Sequence, residues 1–202
     1  MTSEVAAAFI SGGTAILIVV LTPIVDKIIK RFNKKDPLKE AIEINNLIIN
    51  KLEDVKNSYK ADRIWLCQFH NGGVFYPTGK SIQKFSMIYE VLNSNVSSQQ
   101  NQLQNIPTGL FSKPINILEG GNVVKILNYK DYDTYGLSSL AESTGTKSTY
   151  LFPLITIHDK LIGFVGMDFH KETLLEDMVL AGMELEVNSI GGTLMNEYLN
   201  KK

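Results

Sequence analysis

The sequence has a single cysteine and no excess of basic charge, and each shortage excludes a class of protein. Cys67 is the one cysteine among 202 residues, so no disulfide can form within the chain, which fits a reducing compartment. The formal net charge is −1, and from Asp36 onward acidic residues outnumber basic ones. Because a nucleic-acid-binding face is normally basic, we expect no nucleic acid partner.

The sequence also lacks the spacing of a metal site and the residue pattern of an active site. The three histidines, His70, His158 and His170, follow none of the spacings that bind metals. Cys67 lies in an apolar run and is expected to be a small buried residue rather than a nucleophile. We therefore expect no metal, no cofactor and no catalytic residue, so that the protein is not an enzyme.

Charge is absent from residues 5–25 as well. A helix of this length is about 31 Å long, close to the thickness of a bilayer core, and its apolar residues leave no water-facing stripe. These features predict a transmembrane helix, with a buried core helix as the alternative. A cleaved signal peptide fits poorly, because Glu4 precedes the run and basic residues follow it.

The basic residues of segment 26–35 predict the orientation of the chain. Lysine and arginine favour the cytoplasmic side, so residues 1–4 become an extracytoplasmic tail and the domain after the helix is cytoplasmic. The predicted location is the inner membrane, crossed once. Segment 26–35 can also contact anionic lipid headgroups, although a simple topology signal is the favoured explanation.

Residues 36–60 are predicted to form a connecting helix. Asp36 followed by Pro37 is typical of a helix N-terminus. Apolar residues then recur at heptad spacing, with Asn45 at a position that can fix the register of a two-stranded coiled coil. The seven positions of this stripe are Leu38, Ala41, Asn45, Ile48, Leu52, Val55 and Tyr59. A second stripe with Ile42, Leu47 and Ile49 allows the helix to lie on its own domain instead.

Residues 61–202 are predicted to form an α+β domain with an antiparallel sheet flanked by N- and C-terminal helices. The predicted order is two strands, a crossover, a third strand, a second crossover, a hairpin and a long C-terminal helix. The predicted strands are residues 64–69, 85–91, 123–127, 148–156 and 161–169, the crossovers are 106–119 and 131–143, and the helix is 172–199.

The last hairpin resembles that of GAF domains, the sensory relatives of the PAS fold. Residues 150–154 read YLFPL and residues 159–166 read DKLIGFVG. Such domains commonly carry an apolar strand with proline, a short polar turn and then Ile-Gly between apolar residues. The resemblance covers residues 38–200 and implies small-molecule sensing or dimeric signalling, without catalysis. No output module follows the domain in this sequence.

A second resemblance is to small membrane-anchored GAF-like proteins of bacteriophages. It rests on residues 69–72, which read FHNG, together with residues 84–86 and 89–90.

The six candidates for contacts with a ligand are His70, Asn71, Phe75, Tyr76, Glu90 and Tyr150. His70 and Asn71 follow a predicted strand and can face a cleft under loop 74–84, or can simply satisfy turn backbone groups. Phe75 and Tyr76 can cover a pocket or the sheet edge. Tyr150 belongs to the last hairpin. Glu90 and Asp168 fall in predicted strands, where an outward orientation is the commoner one and a ligand contact is the alternative.

These features favour a membrane-anchored, non-catalytic sensory, regulatory or protein-binding module, forming a homodimer through its long helices. Its partners would be the lipid bilayer, a second copy of the chain, and a small molecule or a protein. The alternatives are a phage-type holin or lysis-associated protein, for which Gly12 and Gly13 supply small packing residues, and a virion structural component.

Overall fold

The computed structural model describes residues 22, 23, 25, 36–75, 77–129 and 137–199. The chain divides into two units, Met1–Glu43 and Ile44–Lys202. The helices are α1 (Pro37–Ser58), α2 (Ser112–Glu119), α3 (Leu137–Thr144) and α4 (Asp177–Leu199), with a 3₁₀ helix at Thr108–Phe111. The strands are β1 (Arg63–Val74), β2 (Ser81–Leu92), β3 (Ile106–Pro107), β4 (Val124–Ile126), β5 (Ser148–Ile155) and β6 (Leu161–Phe169).

The strands form one six-stranded sheet in the order β3-β2-β1-β6-β5-β4. Every neighbouring pair is antiparallel, which confirms the predicted α+β class. The first hairpin is longer than predicted, because His70 pairs with Lys84 and Asn71 with Gln83. Backbone pairing continues there through polar residues, so the predicted loop 74–84 is strand at position 74 and from position 81 to 84.

Helices α1 and α4 cover one face of the sheet. Asp36 caps α1 as predicted, since its Oδ1 accepts a hydrogen bond from the backbone N–H of Leu38 at 3.0 Å. Ile48, Leu52 and Val55 of α1 are fully buried in the core on this face. This part of the heptad stripe therefore packs on its own domain, as in the second alternative above.

The C-terminal helix starts at Asp177, five residues later than predicted. The preceding segment is held against β5 instead. The hydroxyl of Tyr150 donates to the carbonyl of Thr173 at 2.8 Å and accepts from the N–H of Leu175 at 3.0 Å. These bonds satisfy backbone groups that a helix would otherwise pair, so a side chain from the sheet sets where α4 begins.

Aromatic rings fill much of the opposite face. Phe164 lies at their centre, with ring centroids 5.7 Å from Trp65, 5.2 Å from Phe85 and 5.9 Å from Phe69. Phe85 also meets Phe111 of the 3₁₀ helix at 5.0 Å, edge to face. Such edge contacts add to the burial energy of the rings. Leu118 of α2 belongs to the same cluster, so this helix packs on the outer side of the aromatic rings.

Among the described residues, no helix has both the length and the apolarity needed to cross a membrane. The predicted transmembrane segment, residues 5–25, lies outside the described residues except for positions 22, 23 and 25.

Candidate functional site

A buried ion pair lies beside the aromatic cluster. Strands β1 and β6 place Arg63 opposite Asp168 in the antiparallel register. The Nε of Arg63 donates to Oδ2 of Asp168 at 2.7 Å, and its Nη2 lies 2.5 Å from the same oxygen. The two side chains are only 0% and 3% exposed. Desolvating both charges is costly, so such a pair persists only where its other hydrogen-bonding atoms are also satisfied.

The remaining donors of Arg63 are satisfied by the segments that cover this face. Its Nη1 donates to the carbonyl of Ser97 at 2.9 Å, and its Nη2 donates to Oγ1 of Thr146 at 3.1 Å. The guanidinium thus links β1 to the loop after β2 and to the turn before β5. A planar group with several fixed donors suits this task better than an ammonium would.

Asp168 has two further donors. The indole Nε1 of Trp65 donates to Oδ2 at 3.1 Å, and the hydroxyl of Thr149 donates to Oδ1 at 2.5 Å. Gly166 makes room for the indole, because a Cβ at that position would overlap the Trp65 ring. The carboxylate, on β6, therefore accepts bonds from two further strands, β1 and β5.

Tyr129 extends the network through Thr149. Their hydroxyl oxygens are 2.5 Å apart. Since the Thr149 hydrogen is donated to Asp168, Tyr129 acts as the donor to Thr149. Burial raises the pKa of Tyr129 well above its usual range, and the negative charge of Asp168 raises it further. The phenol is thus held in its neutral, donating form.

Glu90 joins the network from β2. Its Oε1 accepts from the backbone N–H of Gln99 at 2.8 Å and lies 3.9 Å from Nε of Arg63, and its Oε2 accepts from the hydroxyl of Ser98. The side chains of Glu90 and Asp168 are 4% and 3% exposed. The expectation that both point outward is therefore wrong, because Arg63 on the strand between them supplies the opposite charge.

A small cavity opens against this network. Its volume is about 30 Å³, close to the share of one water molecule in the liquid. The polar wall comes from the network and the apolar wall from the aromatic cluster and the covering segments. Lining residues include Trp65, Leu103, Phe111, Tyr129, Ala141 and Thr146. The cavity admits water or a very small polar group without any change in its walls.

Of the five candidate residues that the structure describes, only Glu90 lies in this site. His70 and Asn71 lie in the arm of the first hairpin, where Nε2 of His70 is 2.9 Å from the hydroxyl of Ser86. Phe75 is 53% exposed at the tip of that hairpin, and Tyr76 lies outside the described residues. Tyr150 is buried on the opposite face, where it holds the segment before α4.

Arg63, Thr149 and Tyr129 were missed by the sequence analysis. A usable signal did exist: a charge opens the apolar strand at Arg63, and an opposite charge ends the apolar strand at Asp168. In antiparallel neighbours these ends meet. The strand order, which the sequence does not state, was needed to see it.

Cys67 is a core residue, as expected. Its side chain is fully buried in the aromatic cluster, and burial raises the pKa of its thiol. The reactive thiolate form is therefore disfavoured. Within the described ranges, no group of three or more His, Cys, Asp or Glu side chains converges to hold a metal ion.

Comparisons with known proteins give matches of structure but none of sequence. No family model matches the chain, and no curated protein matches it. A far-red cyanobacteriochrome photoreceptor superposes with a TM-score of 0.62 at 13% identity, covering 88% of this chain and 98% of that one. The phycoerythrobilin-bound GAF domain of a cyanobacterial phytochrome gives 0.61 at 16% identity, covering 88% and 97%.

A domain of a two-component sensor histidine kinase protein from Sinorhizobium meliloti 1021 gives a TM-score of 0.56 at 13% identity, covering 78% of this chain and 96% of that one. At such identities the likeness concerns the fold alone. The sheet order, the helices on both faces and these superpositions together show that the chain has a GAF-like fold.

Proposed function

We propose that this protein is a membrane-anchored, non-catalytic GAF-like module with a sensory or regulatory role. The observation that carries the proposal is the buried Arg63–Asp168 pair beside a cavity on the sheet face away from α1 and α4. In this proposal the charged cluster on one face forms the binding site, and the helical layer on the other face forms the output surface.

Binding suits the site better than catalysis does. Asp168 accepts bonds from Arg63, Trp65 and Thr149, and Glu90 accepts from Ser98 and Gln99. A general base needs a free lone pair within reach of a substrate proton. Carboxylates that already accept hydrogen bonds from neighbouring residues stabilise the fold. A bound molecule would act by rearranging these bonds.

The size of the cavity constrains the ligand. One structural neighbour is a phycoerythrobilin-bound domain, and pockets for drug-sized ligands measure roughly 300–1,000 Å³. The cavity here is about 30 Å³. We therefore propose a small polar ligand, bound with displacement of the loop that contributes Gln99 and Leu103.

A cavity-filling variant tests the ligand proposal. The full chain in nanodiscs is screened by thermal shift against a panel of small polar metabolites, and each ligand that stabilises it is tested again on Ala141→Leu. Ala141 lines the cavity and is 5% exposed, so a larger side chain should occupy the ligand's space and remove the shift.

The matched control is Leu174→Ala in the segment before α4, where the side chain is 77% exposed. This variant should keep the shift. A ligand that stabilises Ala141→Leu as strongly as the wild type binds elsewhere and contradicts the assignment of the site. If no member of the panel stabilises the wild type, the small-ligand part of the proposal fails and a protein partner replaces it.

Anchoring and topology form a separate part of the proposal, supported by the uncharged run 5–25 and the basic segment 26–35. A C-terminal reporter on the full chain should be active in the cytoplasm. A reporter active only outside the inner membrane would contradict the sensory proposal and favour a lysis protein.

Dimerisation is supported by apolar side chains on the outer sides of the long helices. Leu47 is 47% exposed on α1, and Met178 and Leu185 are 81% and 73% exposed on α4. Solvent-facing residues of this kind on neighbouring helices are typical of subunit contacts. Cross-linking of the full chain should give dimers that are lost in Leu185→Glu.

A further inference from the structure

Two turns of the sheet lie at the same end of the domain. Strand β1 continues past Gln68, which pairs with Gly163 near the start of β6. The connection from β1 to β2 and the turn from β5 to β6 therefore project in the same direction. We call residues 70–81 and 156–160 together the hairpin end.

Exposed apolar side chains mark both turns. Val74 and Phe75 are 65% and 53% exposed at the first turn, and Ile157 is 82% exposed at the second. Turns are normally built from Gly, Pro, Asn, Asp and Ser. Three large apolar side chains at one end of a domain indicate a surface that contacts something less polar than water.

Basic side chains outnumber acidic ones around these residues. Lys80 and Lys84 flank the first turn, and Lys160 ends the second turn, where it follows Asp159. From Ile64 to Tyr89 the chain carries no aspartate or glutamate. The stem of Lys84 lies across Gly72, where a Cβ would overlap it, so the glycine lets this side chain lie along the hairpin arm.

The hairpin end is also where the chain enters the second unit. Asn45 of α1 accepts a hydrogen bond from Tyr89, which pairs with Leu66, whereas Lys56 donates to Asn93 near the start of β1. Helix α1 therefore runs antiparallel to β1, and Ile44 points toward the hairpin end. Residue 43 and the residues before it, including the anchor proposed above, are therefore joined to the second unit at this end.

We propose that the hairpin end binds the anionic bilayer surface. Val74, Phe75 and Ile157 enter the boundary between headgroups and acyl chains, and the lysines lie among anionic headgroups. Apolar side chains with basic neighbours are the combination that favours binding at a membrane interface. The proposal rests on the membrane anchoring proposed above, and it fixes the orientation of the domain on the membrane.

Tryptophan quenching tests the proposal, because the chain has one native tryptophan and that residue is buried. Trp65 is 5% exposed, so it gives a constant background. The full chain carrying Phe75→Trp or Ile157→Trp is reconstituted in phosphatidylglycerol vesicles with and without brominated acyl chains. The added fluorescence should fall by roughly half, as expected for a side chain about 5–10 Å into the interface.

Leu174→Trp is the matched control. Leu174 is 77% exposed and follows β6 at the opposite end of the sheet, where Phe169 pairs with Ser148. Its fluorescence should be unaffected by bromine. If Phe75→Trp and Ile157→Trp are quenched no more than Leu174→Trp, the proposal is overturned.

Two further experiments test whether the contact needs anionic lipid and whether it depends on the anchor. With phosphatidylcholine alone, or with Lys80→Gln and Lys84→Gln added to Phe75→Trp, quenching should fall toward the Leu174→Trp level. If quenching is unchanged both in phosphatidylcholine and in the lysine variants, the anionic part of the proposal is contradicted. Carbonate extraction of the same vesicles tests the anchor by itself: a chain released by carbonate contradicts anchoring, while the quenching before extraction still decides whether the hairpin end contacts lipid.

Discussion

The two faces of the sheet are built from different chemistry. Beneath α1 and α4 the contacts are almost wholly apolar, with Ile48, Leu52 and Val187 fully buried. On the opposite face the aromatic cluster gives way to an arginine, two carboxylates and several hydroxyl groups, all of them inside the protein. One sheet thus carries an apolar layer and a charged layer on its two sides.

The difference bears on which face would carry the function proposed above. Apolar contacts stabilise a fold directly, whereas a buried ion pair is often no more stabilising than an apolar group of the same size. A charged cluster retained in such a position is weak evidence of stability and better evidence of a specific role. Variants on each face, measured on the full chain, test this contrast.

The largest effect is expected from Arg63→Met. Removal of the guanidinium leaves Asp168 as a buried charge without its partner, which should lower the free energy of unfolding by about 3–5 kcal/mol. Urea denaturation followed by circular dichroism measures this loss.

Addition of Asp168→Asn sharpens this test. The amide keeps an acceptor for Trp65 and removes the uncompensated charge, so the double variant should be more stable than Arg63→Met alone. If the double variant is less stable than the single one, the charge of Asp168 is not the source of the loss.

A smaller loss is expected from Leu52→Ala on the apolar face. Leu52 is 0% exposed in the core, and the deletion of its side chain should cost about 3 kcal/mol through lost burial and a residual cavity. The ligand-induced thermal shift should survive, because the cavity lies on the other face.

Leu127→Ala is the matched control for this variant. Leu127 is 44% exposed, so the same substitution should change stability by well under about 1 kcal/mol. Loss of ligand response in Leu52→Ala under conditions where the protein is still folded would show that the two faces are not independent.

The apolar face could be predicted from sequence far better than the charged one. Heptad spacing located Ile48, Leu52 and Val55, and two apolar runs around a polar turn located the last hairpin, where β6 matches the predicted residues 161–169. Periodicity reports which residues share a face, and apolar residues on one face are enough to define a core. The same signal revealed the two long helices. The start of α4 was predicted too early, because the Tyr150 contacts hold the segment before it.

The charged face depends on contacts between distant parts of the chain. Arg63 and Asp168 are 105 positions apart, and nothing in either strand alone states that β1 and β6 are neighbours. The same is true of Glu90, whose expected outward position was reversed by a charge on the adjoining strand. Sequence patterns report local geometry, whereas a buried polar network requires the complete strand order.

The smallest effect, and the one most specific to the charged face, concerns Tyr129 at high pH. Its pKa is raised in the folded protein by burial and by Asp168, whereas in the unfolded chain it is about 10. Above pH 10 the unfolded state therefore loses a proton that the folded state keeps. The resulting loss of stability is absent at neutral pH and grows by at most about 1.4 kcal/mol for each further pH unit.

Tyr129→Phe should abolish this dependence. At neutral pH the variant should lose only about 1 kcal/mol, from the hydrogen bond to Thr149, and its stability should fall less steeply between pH 10 and pH 11. Tyr59 on the helical face is the matched control, since partial burial and Glu186 raise its pKa too. Its hydroxyl is nearer to solvent, so Tyr59→Phe should remove a smaller share of the slope. An unchanged slope in Tyr129→Phe would mean that this phenol is not held neutral by the charged network, and the contrast between the two faces would lose its electrostatic basis.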